Sequence, residues 1–207
     1  MNYDELPMEN IRLISGNSHR FLAEDISKIL NKPLVNCSIN DFSNTEIKVD
    51  INDNIRNKDI FIISSGTYDY KTGKSINDYF METLILIDAC RRSNPKSISL
   101  IMPCYPYARQ DRKDSSRSPI SAAFIANMFE MAGLTRIVCM DLHSPQFQGF
   151  FRIPVDNLYS INMVHKKLIE LYNIDKEEER DKYYLISPDA GAVKRTLKFA
   201  NVMKMKM

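Results

Sequence analysis

The sequence predicts an α/β fold, a mostly parallel sheet flanked by helices. Two observations carry this expectation. Short β-type runs alternate with stretches of helical periodicity along the chain, the pattern that βαβ units produce. The 207 residues are also 44% hydrophobic, and a chain of this size buries about 70% of its unfolded surface without needing disulfides or metals. Right-handed crossovers then place strands side by side, with ligands bound outside their carboxyl ends.

Taken in order, IRLIS (11–15) reads as a strand and HRFLAEDISKIL (19–30) as a helix with Phe21, Leu22, Ile26, Ile29 and Leu30 on one side. LVNCSI (34–39) and EIKVDI (46–51) read as two strands joined by a connector containing DFSNT. DIFIIS (59–64) is a buried strand, NDYFMETLILIDACRR (77–92) a helix and SISLIM (97–102) a strand. In SPISAAFIANMFEMAG, Ser118 is the expected N-cap, Pro119 the first helical residue, and Gly133 lies past the end. RIVCM (136–140) is a strand, 159–172 a helix, YYLIS (183–187) a strand and 191–200 a helix. The charged DKEEERDK (175–182) is a solvated loop or a frayed helix end.

Composition narrows the function. Net charge is +2, from 28 basic and 26 acidic residues, which argues against a general polyanion binder and against nucleic acid as the partner. Anion recognition must be local. The 4 cysteines form no CxxC pair and, with 3 scattered histidines, offer no zinc spacing; each is expected to pack as a small apolar residue in a reducing compartment. MNYDELPMEN is too polar for a signal peptide, and no apolar run reaches the ~20 residues of a membrane span. A cytoplasmic protein without a membrane segment is expected.

The stretch PCYPYARQDRKDSSRSPIS (103–121) sets Arg109, Arg112, Lys113 and Arg117 around Asp111 and Asp114. Charge runs are usually solvated loops with internal ion pairs. Here, however, the run follows a strand end and precedes a helix N-terminus, where backbone N–H groups favour an anion. Planar guanidinium groups match phosphate oxygens. Polyphosphate binding is therefore the favoured reading.

Four further segments bear on chemistry. Asp141 and His143, two apart at the end of strand 136–140, could grip a divalent cation or its water shell; alternatively Asp141 caps a turn and His143 is a loop histidine. In DFSNTE (41–46), Phe42 could stack on a base while Asn44 and Glu46 hydrogen-bond its edge or the sugar, or the segment is an ordinary turn. SPDAGAVKR (187–195) follows a strand and opens a helix, with Asp189 and small residues that allow close approach of a ligand. TGKS (72–75) imitates a P-loop, but the pattern requires glycine at 68, where this chain has Tyr68.

FSNTE, PCYPYARQDRKD, MDLHSPQFQGFF, IPVDNLY and SPDAG occur in the order found in ribose-phosphate diphosphokinases, and the chain resembles that family from IRLISGNSH to about residue 200. The resemblance implies a type I phosphoribosyltransferase-like α/β architecture, with an ATP-binding domain over 1–158 and an incomplete second domain over 159–207. It implies transfer of the β,γ-diphosphate of Mg–ATP to the C1 hydroxyl of ribose 5-phosphate, giving PRPP and AMP for nucleotide biosynthesis. Arg109, Gln110, Arg112, Lys113 and Asp114 would surround the nucleotide, and Phe42, Asn44 and Glu46 would form an adenine turn shared between subunits. His143 would contact Mg–ATP, with Asp141 and Asp156 in metal-associated positions and Asp189 facing the ribose phosphate and its Mg²⁺. A homo-oligomer, or assembly with full-length subunits, follows by family. The alternative is a non-catalytic nucleotide-binding subunit. Three departures stand out: Arg152 where the family commonly has aspartate, a longer connector at 67–78, and no adjacent aspartate pair of the family's second half. The ribose 5-phosphate site is expected to be incomplete, and the short chain alone inactive.

Overall fold

The computed structural model describes residues 8–207. They divide into two compact units, the first closing at Leu158 and the second opening at Tyr159. In chain order the first unit contains β1 (Ile11–Ser15), α1 (Arg20–Ile29), β2 (Cys37–Asp41), β3 (Ile47–Ile51), β4 (Asp59–Ile63), α2 (Ile76–Arg92), β5 (Ser97–Met102), α3 (Ser121–Ala132), β6 (Arg136–Met140) and β7 (Val155–Leu158). Five strands form one parallel sheet in the order β1-β4-β5-β6-β7, while β2 and β3 pair antiparallel in a separate two-stranded sheet.

The sheet is covered on both faces, as a parallel sheet requires. Successive side chains of a strand point to opposite faces, and the core divides accordingly. Leu13 and Ile63 pack with Leu22, Ala23 and Ile26 of α1. Ile14, Ile60, Ile62 and Leu100 belong to the larger cluster with Phe80, Leu86, Ile125 and Phe129 of α2 and α3. The expected face of α1 is therefore only partly right: Phe21 and Ile29 are 67% and 82% exposed, and the core side centres on Ala23. The large residues drew the stripe one position away from the small one that the sheet accepts.

Helix α3 also begins later than expected. Its N-cap is Ile120, without a side-chain cap, and Ser118 instead closes a turn with Ser115. The Gln110 carbonyl accepts from the Ala122 N–H at 3.1 Å, so the preceding loop partly caps the helix that follows it. The C-terminal expectation holds: Gly133 takes φ 117° as the left-handed cap. β7 was not foreseen, because VDNL mixes two polar residues into an edge strand.

The second unit holds α4 (Ile161–Tyr172), α5 (Glu177–Arg180) and α6 (Val193–Met203), with α5 falling inside the charged segment. Ile161, Ile174, Ala200 and Met203 are its buried apolar residues. The strand expected at 183–187 does not form. Only a single bridge joins Tyr184 to Lys206 and one Leu185 N–H to Lys206 O bond of 2.8 Å accompanies it; a β-type run without a neighbour to complete its ladder stays irregular.

All four cysteines are free thiols. Burial pushes Cys90 and Cys139 up to about 12 and Cys37 to about 11, which keeps them protonated at neutral pH. Cys104 departs from the expectation of burial and is exposed. Among the described residues, no helix is long and apolar enough to cross a membrane.

A charged side chain sits inside this architecture. Glu82 of α2 is 1% exposed, and its two oxygens accept from the Asn17 backbone N–H at 2.7 Å and the Asn17 amide at 3.1 Å. Burial raises its pKa above the ordinary 4.5 against the opposing pull of those bonds. A raised folded-state pKa gives stability that is fully present below the unfolded value and lost as pH rises through the folded one. Glu82→Gln should therefore remove a downward component from the stability profile above pH 4.5. Urea melts from about pH 4 to about pH 8 check this; parallel profiles for parent and variant would refute it.

Candidate functional site

The candidate site gathers outside the carboxyl ends of the parallel strands. The segment that follows β5, residues 103–120, is long and charged, yet its backbone is held at many points. Tyr105 is 6% exposed, stacks edge-on against Phe147 at 4.8 Å and Phe151 at 5.9 Å, and donates its hydroxyl to the Ala122 carbonyl at 3.3 Å. Tyr107 lies in the left-handed region at φ 57°, and its hydroxyl donates to Asn77 at the start of α2. Gln110 accepts from the Ser121 hydroxyl. Asp111 accepts from the Ser144 hydroxyl at 2.7 Å, tying this loop to the one that follows β6.

Gly66 makes the fixing possible. Its N–H donates to the Cys104 carbonyl at 2.8 Å, and a Cβ there would stand 2.8 Å from Pro106 Cδ and 3.0 Å from the Cys104 oxygen. The chain leaving β4 and the root of the charged loop thus touch backbone to backbone. Only glycine allows that approach.

The charges themselves face water. Arg109, Arg112, Lys113 and Arg117 are all exposed, and the Arg112–Asp114 pair, at 3.7 Å, is 84% and 77% exposed, a geometry in which an ion pair contributes little. A fixed backbone carrying solvent-facing guanidinium groups can bind an anion by displacing water and weak partners, without rebuilding the loop. The helix-dipole contribution expected from α3 is reduced, since Gln110 already occupies the Ala122 N–H.

Beside this loop, Asp141 adopts φ 48° immediately after β6, and its N–H donates to the Leu158 carbonyl at 2.8 Å. His143 is exposed two residues later. The other two expected metal-associated carboxylates have protein partners of their own. Asp156 stands on β7 opposite Val138, and its carboxylate is bound by Arg136 at 2.6 Å. Asp189, in the second unit, accepts from the Ala192 N–H at 2.8 Å as a cap. Among the described residues no three His, Cys, Asp or Glu side chains assemble a cage for a metal ion. Arg152 is exposed, and its N–H donates to Glu130 at 2.6 Å.

The DFSNTE segment is the tip of the β2–β3 hairpin. The Phe42 N–H donates to the Glu46 carbonyl at 2.8 Å, and the Thr45 N–H to the Phe42 carbonyl at 2.9 Å. Thr45 reaches φ 70°, a strained position for a β-branched residue. The Asn44 side chain accepts from the Glu46 N–H at 3.3 Å. Phe42 is 52% exposed and, with Glu46, Asp78, Met81 and Ile85, lines a surface pocket of about 510 Å³.

The TGKS imitation is settled by its contacts. Lys74 donates to Asp41 at 2.8 Å, and Ser75 begins α2 in a capping box with Asp78; neither forms a phosphate cradle. Residues that pattern reading passed over include Asn17, Asn77, Ser144 and Glu82. Only Glu82 left a signal: a carboxylate among Tyr79, Phe80, Thr83 and Leu86, all buried on α2.

Comparison with known proteins matches this geometry to one group. Residues 11–133 match the family model described as the N-terminal domain of ribose phosphate pyrophosphokinase. The chain is 42% identical over 202 residues to ribose-phosphate pyrophosphokinase 4 of Saccharomyces cerevisiae, covering 98% of this chain and 59% of that protein. It is 43% identical over 190 residues to the ribose-phosphate pyrophosphokinase of Thermotoga maritima, covering 92% and 57%. The crystal structure of phosphoribosylpyrophosphate synthetase from Mycobacterium smegmatis superposes with a TM-score of 0.84 at 36% identity, over 95% of this chain and 62% of that one. The chain thus spans about three fifths of the length of the relatives it matches. With its five-stranded parallel sheet and its ordered motifs, the chain belongs to the ribose-phosphate pyrophosphokinase family.

Proposed function

We propose that these residues form the ATP-binding side of a ribose-phosphate pyrophosphokinase, which transfers diphosphate from Mg–ATP to the C1 hydroxyl of ribose 5-phosphate. The observation that carries this reading is the anchored loop at 103–120, whose backbone is fixed by Tyr105, Tyr107 and Asp111 while its cations stay exposed. Transfer of a phosphoryl-type group asks the protein for little covalent chemistry. Positioning and charge neutralisation carry most of it.

In this reading Arg109, Arg112 and Lys113 take the phosphate oxygens, with Gln110 and Asp114 completing the loop's contacts. Phe42 stacks on the adenine, and Asn44 and Glu46 bond its edge or the ribose, with the turn serving a neighbouring subunit of a homo-oligomer. Mg²⁺, as a cation that dehydrates reluctantly and is usually bound through substrate phosphates, would need only one or two protein groups here. Asp141 and His143 fit that demand, while the absence of a three-ligand cluster among the described residues does not fit a resident protein cage. Asp156, paired with Arg136, and Asp189, a cap in the second unit, are the further metal-associated positions of this reading.

A second reading is a non-catalytic nucleotide-binding subunit that associates with full-length subunits. The two differ in turnover, not in ATP binding.

Three outcomes are expected. Arg109→Ala should weaken Mg–ATP binding in calorimetry by about tenfold or more, from the ~1.5–3 kcal/mol of a hydrogen bond to a charged group; equal affinities would remove the loop from the site. Gly66→Ala, which drives a methyl group into the backbone of Cys104 and Pro106, should weaken the same binding by displacing the loop's root, read against its melting temperature. The 207-residue chain, given Mg–ATP and ribose 5-phosphate alone, should form little PRPP or AMP. Turnover within about tenfold of a longer family member, about 1.4 kcal/mol in barrier, would exclude the subunit reading.

A further inference from the structure

The lengthened connector between β4 and α2 has an internal architecture that the nucleotide reading leaves unused. Asp69 is its hub. The carboxylate accepts from the Lys71 N–H at 2.8 Å, the Thr72 hydroxyl at 2.7 Å and the Tyr79 hydroxyl at 3.0 Å. Tyr79 is 1% exposed, so the hub is bolted to the core through α2. The Asp69 N–H donates to the Lys74 carbonyl at 3.0 Å, and Gly73, at φ 75°, returns its N–H to the Asp69 carbonyl at 2.8 Å. Ser75 follows at once in the capping box of α2. The Lys74 backbone is therefore fixed on both sides.

The Lys74 ammonium reaches both oxygens of Asp41, each at 2.8 Å. The two side chains are only 23% and 37% exposed, and Glu82 lies close enough to feel both charges. Asp41 is the last residue of β2, directly before Phe42. A two-stranded hairpin is marginally stable by itself, and the tip of this one carries the strained Thr45.

We propose that Lys74 is a positioning residue: fixed by the Asp69 hub and paired with Asp41, it braces the Phe42–Glu46 turn in the orientation that accepts a purine base. This rests on the reading of that turn as the base-binding element. Lys74 thereby contributes to recognition of the base and not to recognition of the triphosphate, which separates it from a P-loop lysine. Tyr107, whose hydroxyl is held by Asn77 in the first turn of α2, links the charged loop to the same helix. The connector and α2 thus support both the turn and the charged loop.

The test compares the parent with Lys74→Met, which keeps an apolar stem, and Lys74→Arg, which restores the charge. Amide hydrogen exchange at Phe42 and Thr45 should accelerate in the methionine variant and return toward the parent in the arginine variant. Calorimetry with Mg–ATP should show a loss of about two- to fivefold for methionine, the scale of a partly exposed ion pair, with Mg–tripolyphosphate unaffected and arginine rescuing ATP. Unchanged exchange at both amides overturns the brace. An equal loss for tripolyphosphate overturns it too, and returns Lys74 to the phosphates. A parent that fails to bind Mg–ATP would refute the proposed function, while the exchange measurement still decides whether Lys74 holds the turn.

Discussion

Much of the first unit turns on one buried carboxylate. Glu82, within α2, receives both donors of Asn17 and so pins the chain leaving β1 to the helix leaving β4. Gly16 completes the contact: a Cβ there would stand 3.0 Å from the carboxylate oxygen. Next to it, Ser18 accepts from the Ser65 N–H at 2.8 Å, and Ser64 shares a hydroxyl bond of 2.7 Å with Thr83. The crevice beyond β1 and β4 is therefore closed by polar bonds and not by apolar filling. Buried polar networks of this kind stabilise only when every member is satisfied, and here the members satisfy one another.

From that closure the rest of the site follows outward. α2 is the common support: its first turn receives Tyr107 from the charged loop, its N-cap ends the Asp69 connector, and Met81 and Ile85 face the hairpin tip. The loop following β6 meets the charged loop through Ser144 and Asp111. Left-handed backbone recurs at Thr45, Tyr107 and Asp141, one residue in each of the three loops. Such conformations persist where surrounding contacts over-determine them, and they concentrate at functional sites.

Much of this was legible in sequence. β1, β5 and β6 have the bounds their apolar runs suggested, because buried parallel strands read as continuous hydrophobic segments. Local pattern failed where a distant partner decided the outcome. VDNL becomes a strand because β6 offers it a ladder, and YYLIS stays irregular because only Lys206 does. The Ser118-Pro119 signature lost to the Gln110 carbonyl at the start of α3. At the site, residue types raised the expectation of phosphate chemistry but gave no sign of the anchors. Tyr107 with Asn77, Asp111 with Ser144 and Lys74 with Asp41 lie 30 or more positions apart, beyond any local periodicity. The Arg136–Asp156 pair was hidden likewise, since nothing near Asp156 in sequence indicated that Arg136 would hold it.

The separate hydrogen bonding of the hairpin carries a consequence for how such a protein can change over evolutionary time. β2 and β3 ladder only with each other, so the residues at their tip can be exchanged without altering the register of the five parallel strands. Mutations there have little leverage on the core. A lineage could drift through many tip sequences at nearly constant fold stability, while the charged loop, tied into α2 and α3, is constrained by its own packing.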